Sequence, residues 1–210
     1  MLEAVINDFG GVFIGSPFDA VRRIGAERGI EQDLLTSLIF GSYDDDTDHP
    51  WHRAERGEID IFAAREAIAE LGRAQGHDID LFTMLRDLGG DGTVRESMID
   101  SVRRARAAGA KTALLTNNVA EGRDLWRRLL PVDEIFDAVV DASEIGMRKP
   151  DPRIFHHTLR LLGVTDAGKA AFLDDYPGNV TAAASVGLIA ILVEDDPTPA
   201  IIRLDGLLGR

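Results

Sequence analysis

Short apolar runs bounded by polar or turn-forming residues recur at residues 4–6, 112–116, 138–140, 170–173 and 188–193. Each is too short for a buried helix and apolar on consecutive positions, which predicts strands covered on both faces, as in a parallel sheet. Helical spacing separates most of them. Met98, Val102 and Ala105 share one face ahead of Gly109, and Phe155, Leu159 and Leu162 form a stripe that Pro152 begins and Gly163 ends. An alanine-rich stretch opened by Gly178 and Asn179 and closed by Gly187 predicts a further helix. Strand alternating with helix over residues 94–194 predicts right-handed βαβ units in one sheet.

Between the first run and residue 94 the pattern is almost wholly helical, over residues 21–27, 34–40, 59–71 and 81–88. A module of that size following the first strand is expected to sit above the carboxyl edge of the sheet. The predicted fold class is therefore α/β: a Rossmann-like parallel sheet core of residues 1–14 and 93–210, with residues 15–92 inserted as an α-helical cap. Gly15 and the run Gly89-Gly90-Asp91-Gly92 are the hinge candidates. No internal repeat or low-complexity segment is present.

Composition narrows the partners. The formal charge of −13 argues against a nucleic-acid surface, which needs clustered positive charge. A small anion can still bind if a metal or a few placed cations meet its charge. With no cysteine, disulfides and thiol chemistry are excluded. No apolar stretch approaches the roughly 20 residues that span a bilayer, and no charged-then-apolar leader opens the chain. The expectation is a soluble cytoplasmic protein, with a homodimer among the assemblies left open.

The chemistry concentrates at strand ends: Asp8 after the first run, Thr116-Asn117 after the second, Lys149, and Asp174-Asp175 after the fourth. Taken singly, each is an ordinary turn, cap or polar loop; in order, at successive carboxyl edges of one sheet, they read as a site. The stretches Asn7-Asp8-Phe9-Gly10-Gly11-Val12, Leu114-Leu115-Thr116-Asn117-Asn118, Gly146-Met147-Arg148-Lys149-Pro150-Asp151-Pro152 and Phe172-Leu173-Asp174-Asp175-Tyr176-Pro177-Gly178-Asn179 resemble the motifs of the haloacid dehalogenase superfamily. Within it, the chain looks most like the subgroup of soluble-epoxide-hydrolase phosphatase domains and glucose-1-phosphatase-like enzymes. The resemblance implies a Mg²⁺-dependent phosphomonoester hydrolase for a small phosphorylated metabolite, with Asp8 as nucleophile passing through an aspartyl-phosphate. It implies Mg²⁺ held by Asp8, the Gly10 carbonyl, Asp174 and Asp175. Phosphate would be held by Thr116, Asn117 and Lys149, the last also catalytic. Lys149 is one of only three lysines, with Lys111 and Lys169, and acts as a compact point charge on phosphate. Arg148 beside it reads as surface.

Two positions depart from the pattern. Gly10 stands where the superfamily's phosphatases usually carry a second aspartate as acid and base, a function worth roughly 10²- to 10⁴-fold. The acid then comes from the cap, with His52 or Asp48 as candidates, or the substrate has a good leaving group, or turnover is lost. Asn7 occupies a normally apolar position, and its buried amide needs partners. Two other functions follow from Gly10: a 2-haloacid dehalogenase, for which Asp174-Asp175 has no purpose, or a binding or regulatory protein on a retired scaffold. Asp44, Asp46, Asp48 and Glu55 imitate calcium-loop spacing, but His49 replaces the required glycine; the segment reads as an acidic solvated loop.

Overall fold

The structure is a computed structural model that describes residues 2–88 and 93–209. All five apolar runs form strands: β1 (Ala4–Asn7), β2 (Lys111–Thr116), β3 (Ala138–Asp141), β4 (Ala170–Asp174) and β5 (Ile189–Leu192). They make one parallel sheet in the order β3-β2-β1-β4-β5. After β1 come α1 (Pro17–Arg28), α2 (Gln32–Ile39), α3 (Pro50–Glu55), α4 (Ile61–Ala74) and α5 (Leu81–Leu88), and α6 (Glu96–Ala107) leads back into β2. Short helices α7 (Arg123–Arg127) and α8 (Val132–Ile135) precede β3, and α9 (Ala142–Ile145) and α10 (Pro152–Leu162) follow it. Then α11 (Pro177–Ser185) joins β4 to β5, and α12 (Thr198–Leu207) closes the chain. The hinge candidates Gly89, Gly90, Asp91 and Gly92 lie outside the described residues.

Alternation of side chains along each strand divides the core in two. Val5 and Leu114 join Met98 and Val102 of α6 and Leu204 of α12 on one face. Ala4, Ile6 and Phe172 join Ile154, Phe155 and Leu159 of α10 on the other. Helix α10 forms where its stripe predicts: Asp151 accepts from the Arg153 N–H at its start, and Gly163 ends it at φ +72°. Among the described residues, no helix is long and apolar enough to cross a membrane.

The inserted helices have their own apolar centre, in which Ile24, Leu35, Phe40, Trp51, Ile68 and Met84 are buried. Residues 44–48 form the expected exposed acidic loop, but helix α3 corrects that expectation for the rest of the segment. His49 Nδ1 accepts from the Trp51 N–H, Pro50 fits the first turn, and Trp51 packs edge-on against Phe40 at 5.3 Å. Trp51, His52 and Glu55 are all buried. Apolar periodicity cannot find a six-residue helix whose buried face includes a histidine and a glutamate.

Arg148 corrects the expectation of a surface residue, being fully buried. Its Nε donates to Glu55 Oε2 at 2.6 Å, the Trp51 indole N–H donates to Glu55 Oε1 at 2.8 Å, and the guanidinium lies over the Tyr43 ring at 5.6 Å. A buried pair gains little over an apolar one but is costly to break, because one charge is left stranded. Glu55→Ala is therefore expected to lower unfolding stability by about 3–5 kcal/mol in urea titrations, and the double change Glu55→Leu with Arg148→Met to recover most of that loss.

Candidate active site

Strand register gathers the predicted residues. Asn7 pairs with Leu114 on one side and Leu173 on the other, and the Asp8 N–H extends the ladder to the Leu173 carbonyl at 2.8 Å. Asp8 thus emerges level with the end of β4, whose last residue is Asp174, while Thr116 is the last residue of β2. The chain places β2 and β3 on one side of β1 and β4 and β5 on the other. The crevice above such a reversal is where open α/β sheets bind ligands.

Lys149 is the cation at the centre. Its Nζ lies 2.7 Å from Asp8 Oδ1 and 2.7 Å from Asp174 Oδ2, and the side chain is 1% exposed. Asn117 sets its position: the amide donates to the Lys149 carbonyl at 3.0 Å and accepts from the Lys149 N–H at 2.9 Å. The side chain of Asn117 is thereby spent on clamping the lysine loop to the tip of β2. Thr116 Oγ1 accepts from the Asn118 amide at 3.1 Å.

The two adjacent aspartates have different surroundings. Asp174 is saturated: Oδ1 accepts from the Tyr176 N–H and the Asn179 amide, and Oδ2 from Lys149 and the same amide. Asp175 accepts from the Ser16 hydroxyl at 2.5 Å. Ser16 occupies the N-cap position of α1 without capping it, its hydroxyl being turned to Asp175 instead. Sequence reasoning assigned neither Ser16 nor Asn179 a role. Ser16 before Pro17 reads as an ordinary helix start, and Asn179 carries no signal beyond its place in the fourth motif.

The glycine pair differs in the same way. Gly11 has φ +65°, and a Cβ there would fall 2.0 Å from Asp175 Cγ, so no side chain fits. Gly10 has room: a Cβ would meet only the Pro17 Cδ, at 3.8 Å. The carboxyl missing at position 10 is not excluded by crowding.

Oxygens of Asp8, Asp174 and Asp175 lie within 4.8 Å of one another. Burial raises the Asp8 pKa to about 6, with Lys149 opposing and Asp174 reinforcing. Burial likewise pushes Asp175 well above the carboxylate range, helped by Asp174 and Asp8. Burial disfavours the Lys149 ammonium, but Asp174 and Asp8 outweigh it and hold its pKa above the ordinary lysine value. A crowded set of hard oxygen donors with too little positive charge fits a divalent cation such as Mg²⁺. Asp8 and Asp175 are the carboxylates best able to hold one, because Asp174 is already fully bonded.

Asn7 is fully buried, and neither its amide nitrogen nor its oxygen has a partner among the described residues. The two acids sought in the insert are not at the cavity. Asp48 projects fully into solvent, and His52 is buried with Nδ1 accepting from the Thr47 N–H at 2.9 Å. Burial, with Arg148 and His49 nearby, pushes the His52 pKa down to about 3, leaving it neutral.

Above Asp8 opens a cavity of about 350 Å³ with Thr116, Asn117, Lys149 and Asp175 at its floor. Its walls come from both the insert and the core, including Phe18, Phe40, Trp51, Val119 and Trp126. An aromatic seam closes one side, where Phe18 stacks on Tyr176 at 5.0 Å and meets Tyr43 edge-on at 4.7 Å.

Comparison with known proteins agrees with this layout. The mouse protein "Acyl-CoA dehydrogenase family member 10" is 31% identical over 99% of the chain, which corresponds to 19% of that protein. The chain spans about a fifth of the length of the first curated relatives it matches. A glyceraldehyde 3-phosphate phosphatase from Methanothermobacter thermautotrophicus is 28% identical over 87% of the chain and 70% of its own length. A crystal structure of a haloacid dehalogenase family enzyme from Bacteroides thetaiotaomicron, in complex with magnesium and inorganic phosphate, shares the fold with a TM-score of 0.62 and 18% identity, covering 93% of this chain and 96% of that one. The model of the haloacid dehalogenase-like hydrolases matches residues 3–187, and with the parallel sheet and its carboxyl-edge cluster in place the chain belongs to that family.

Proposed function

We propose that the chain is a Mg²⁺-dependent phosphomonoester hydrolase that works through an aspartyl-phosphate on Asp8, with residues 15–92 acting as a cap over the core of residues 1–14 and 93–210. The single observation that carries this reading is the meeting of Asp8, Lys149, Asp174 and Asp175 at one strand edge. A buried carboxylate beside a buried ammonium suits in-line attack on phosphorus, where like charges must be offset. Asp8 supplies the nucleophilic oxygen. Lys149 holds Asp8 Oδ1 and contributes positive charge to the phosphoryl oxygens. The Thr116 hydroxyl and the Asn117 backbone N–H are the remaining donors. Asp174 positions Lys149 and does not itself react, being bonded on both oxygens.

Asp8, Asp175 and the Gly10 carbonyl would hold Mg²⁺, which when bound offsets negative charge on the phosphate. The insert shields the reacting centre from water through the aromatic seam and the Glu55–Arg148 pair. A small phosphorylated metabolite is the substrate class. The paired carboxylates Asp174 and Asp175 beside Asp8 favour phosphorus over carbon–halogen chemistry, which needs the nucleophile but has no use for the pair.

Three outcomes test the reading. Asp8→Asn is expected to lose turnover of p-nitrophenyl phosphate by on the order of 10⁴-fold or more, and Lys149→Met by about 10²- to 10³-fold in kcat, read in a colorimetric assay with Mg²⁺. Equal turnover by wild type and Asp8→Asn removes Asp8 as nucleophile.

The second outcome concerns pH. Because the folded-state pKa values of Asp8 and Asp175 lie above their unfolded values, these groups add stability to the metal-free protein at low pH, and that stability is lost as pH rises through about 6 for Asp8. Mg²⁺ at about tenfold its Kd should raise Tm by roughly 3–5 °C at pH 7.5 and by much less at pH 5, as followed by calorimetry.

Gly11→Ala provides the third. Its Cβ displaces the Asp175 carboxylate, so the Mg²⁺-dependent Tm rise should vanish even if the metal-free protein still unfolds cooperatively.

A further inference from the structure

We infer that the leaving group this site accepts is both apolar and a weak base: the oxygen that departs from phosphorus belongs to a phenolate or a carboxylate carried on an apolar body. The inference rests on the phosphatase reading above and narrows it.

The walls argue for the apolar body. Ile14, Phe18, Phe40, Leu85, Val119 and Leu129 line the cavity, and Leu125, 72% exposed, carries the apolar surface to its mouth. Most polar groups among the wall residues are already committed, the exceptions among the described residues being Trp126 Nε1 and Asn179 Oδ1, which have no partner. Both Glu55 oxygens accept hydrogen bonds, from Arg148 and from Trp51. The Tyr176 hydroxyl pairs with Asp44 at 3.1 Å, and the Asn118 amide donates to Thr116. A polyol entering here gives up the hydration of several hydroxyls for few free partners, a single indole N–H on the wall being too little to match them, which is how a buried site rejects a substrate.

The acids argue for the weak base. Among the described residues the carboxyl groups lining the cavity are those of Asp8, Glu55 and Asp175. Asp8 attacks, Glu55 is tied to Arg148, and Asp175 belongs to the cation site and to Ser16. Gly10 offers space without a proton donor. An alkoxide cannot depart readily without one, whereas a phenolate or carboxylate can.

In the first step a bond forms from an Asp8 carboxylate oxygen to phosphorus while the bond from phosphorus to the leaving oxygen breaks. The electron pair leaves with the phenolate or carboxylate, and the protein transfers no proton. Water then attacks the aspartyl-phosphate at phosphorus, Asp8 departs as carboxylate, and the proton of that water leaves with the released phosphate.

The test uses the whole chain with Mg²⁺ and compares kcat/KM for phenyl, acetyl, benzoyl and decyl phosphates and glucose 6-phosphate. Decyl phosphate and glucose 6-phosphate are expected at least about 10²-fold below benzoyl phosphate, the deficit of an unassisted alkoxide. Benzoyl phosphate should exceed acetyl phosphate by about tenfold or more, because the two leave comparably and differ in a buried ring. Phenyl phosphate is expected between benzoyl and decyl phosphates, in the order of leaving-group basicity. Gly10→Asp should raise decyl phosphate turnover by at least about tenfold by supplying the acid. Glucose 6-phosphate or decyl phosphate within tenfold of benzoyl phosphate, equal rates for acetyl and benzoyl phosphates, or no gain in a folded Gly10→Asp chain overturns the inference while the phosphatase reading stands. No turnover of any of these esters sinks that reading, and the inference with it.

Discussion

Lys149 lies between two buried carboxylates, and the rest of the site is arranged around that contact. Three acids held within 4.8 Å of one another repel, and the energy of taking them out of water adds to the repulsion. One ammonium at 2.7 Å from both Asp8 and Asp174 makes the cluster tolerable, but it leaves a negative excess. That excess suits a divalent ion, and under the function proposed above the ion and lysine together would let an acidic protein receive a phosphate. Everything that holds Lys149 therefore bears on the proposed chemistry. The Asn117 amide grips its backbone on both sides, and the Asn179 amide and the Tyr176 N–H fill the lone pairs of Asp174 that the lysine does not use.

The residue before Lys149 ties the same loop to the other half of the molecule. Arg148 is buried against Glu55 of α3, so adjacent residues face opposite tasks: one meets the reacting centre and the other meets the insert. Tyr176, directly after the aspartate pair, does likewise through its stacking on Phe18 and its hydrogen bond to Asp44. The insert is thus joined to the core by residues flanking the site. In the proposed reading, the residues that close the cavity are not those that would touch the phosphate, which separates substrate selection from phosphorus chemistry.

Much of this was legible in the sequence. A parallel sheet declares itself because both faces are covered, so consecutive apolar residues such as Ala4, Val5 and Ile6 leave little room for another reading. Asp8, Thr116, Asn117, Lys149 and Asp174-Asp175 converge because each directly follows or ends such a run, or lies in a loop clamped to one. What the sequence hid was of two kinds. Pairings between distant charges have no local signature: nothing near Arg148 indicates that Glu55, on α3 of the insert, will bury it. Roles that compete with a commonplace one are also invisible, as with Ser16, which sits at the start of α1 but turns its hydroxyl to Asp175. Short helices such as α3 fall below the length at which periodicity speaks.

The contact between the Gly11 backbone and Asp175 also constrains how this chain can vary. Every coding change that replaces glycine at position 11 brings in a side chain, and its first carbon would coincide with the carboxyl group opposite. No conservative neighbour exists through which the position can drift. Loss of the aspartate would relieve the crowding but not the φ of +65°, so variation at position 175 does not by itself free position 11.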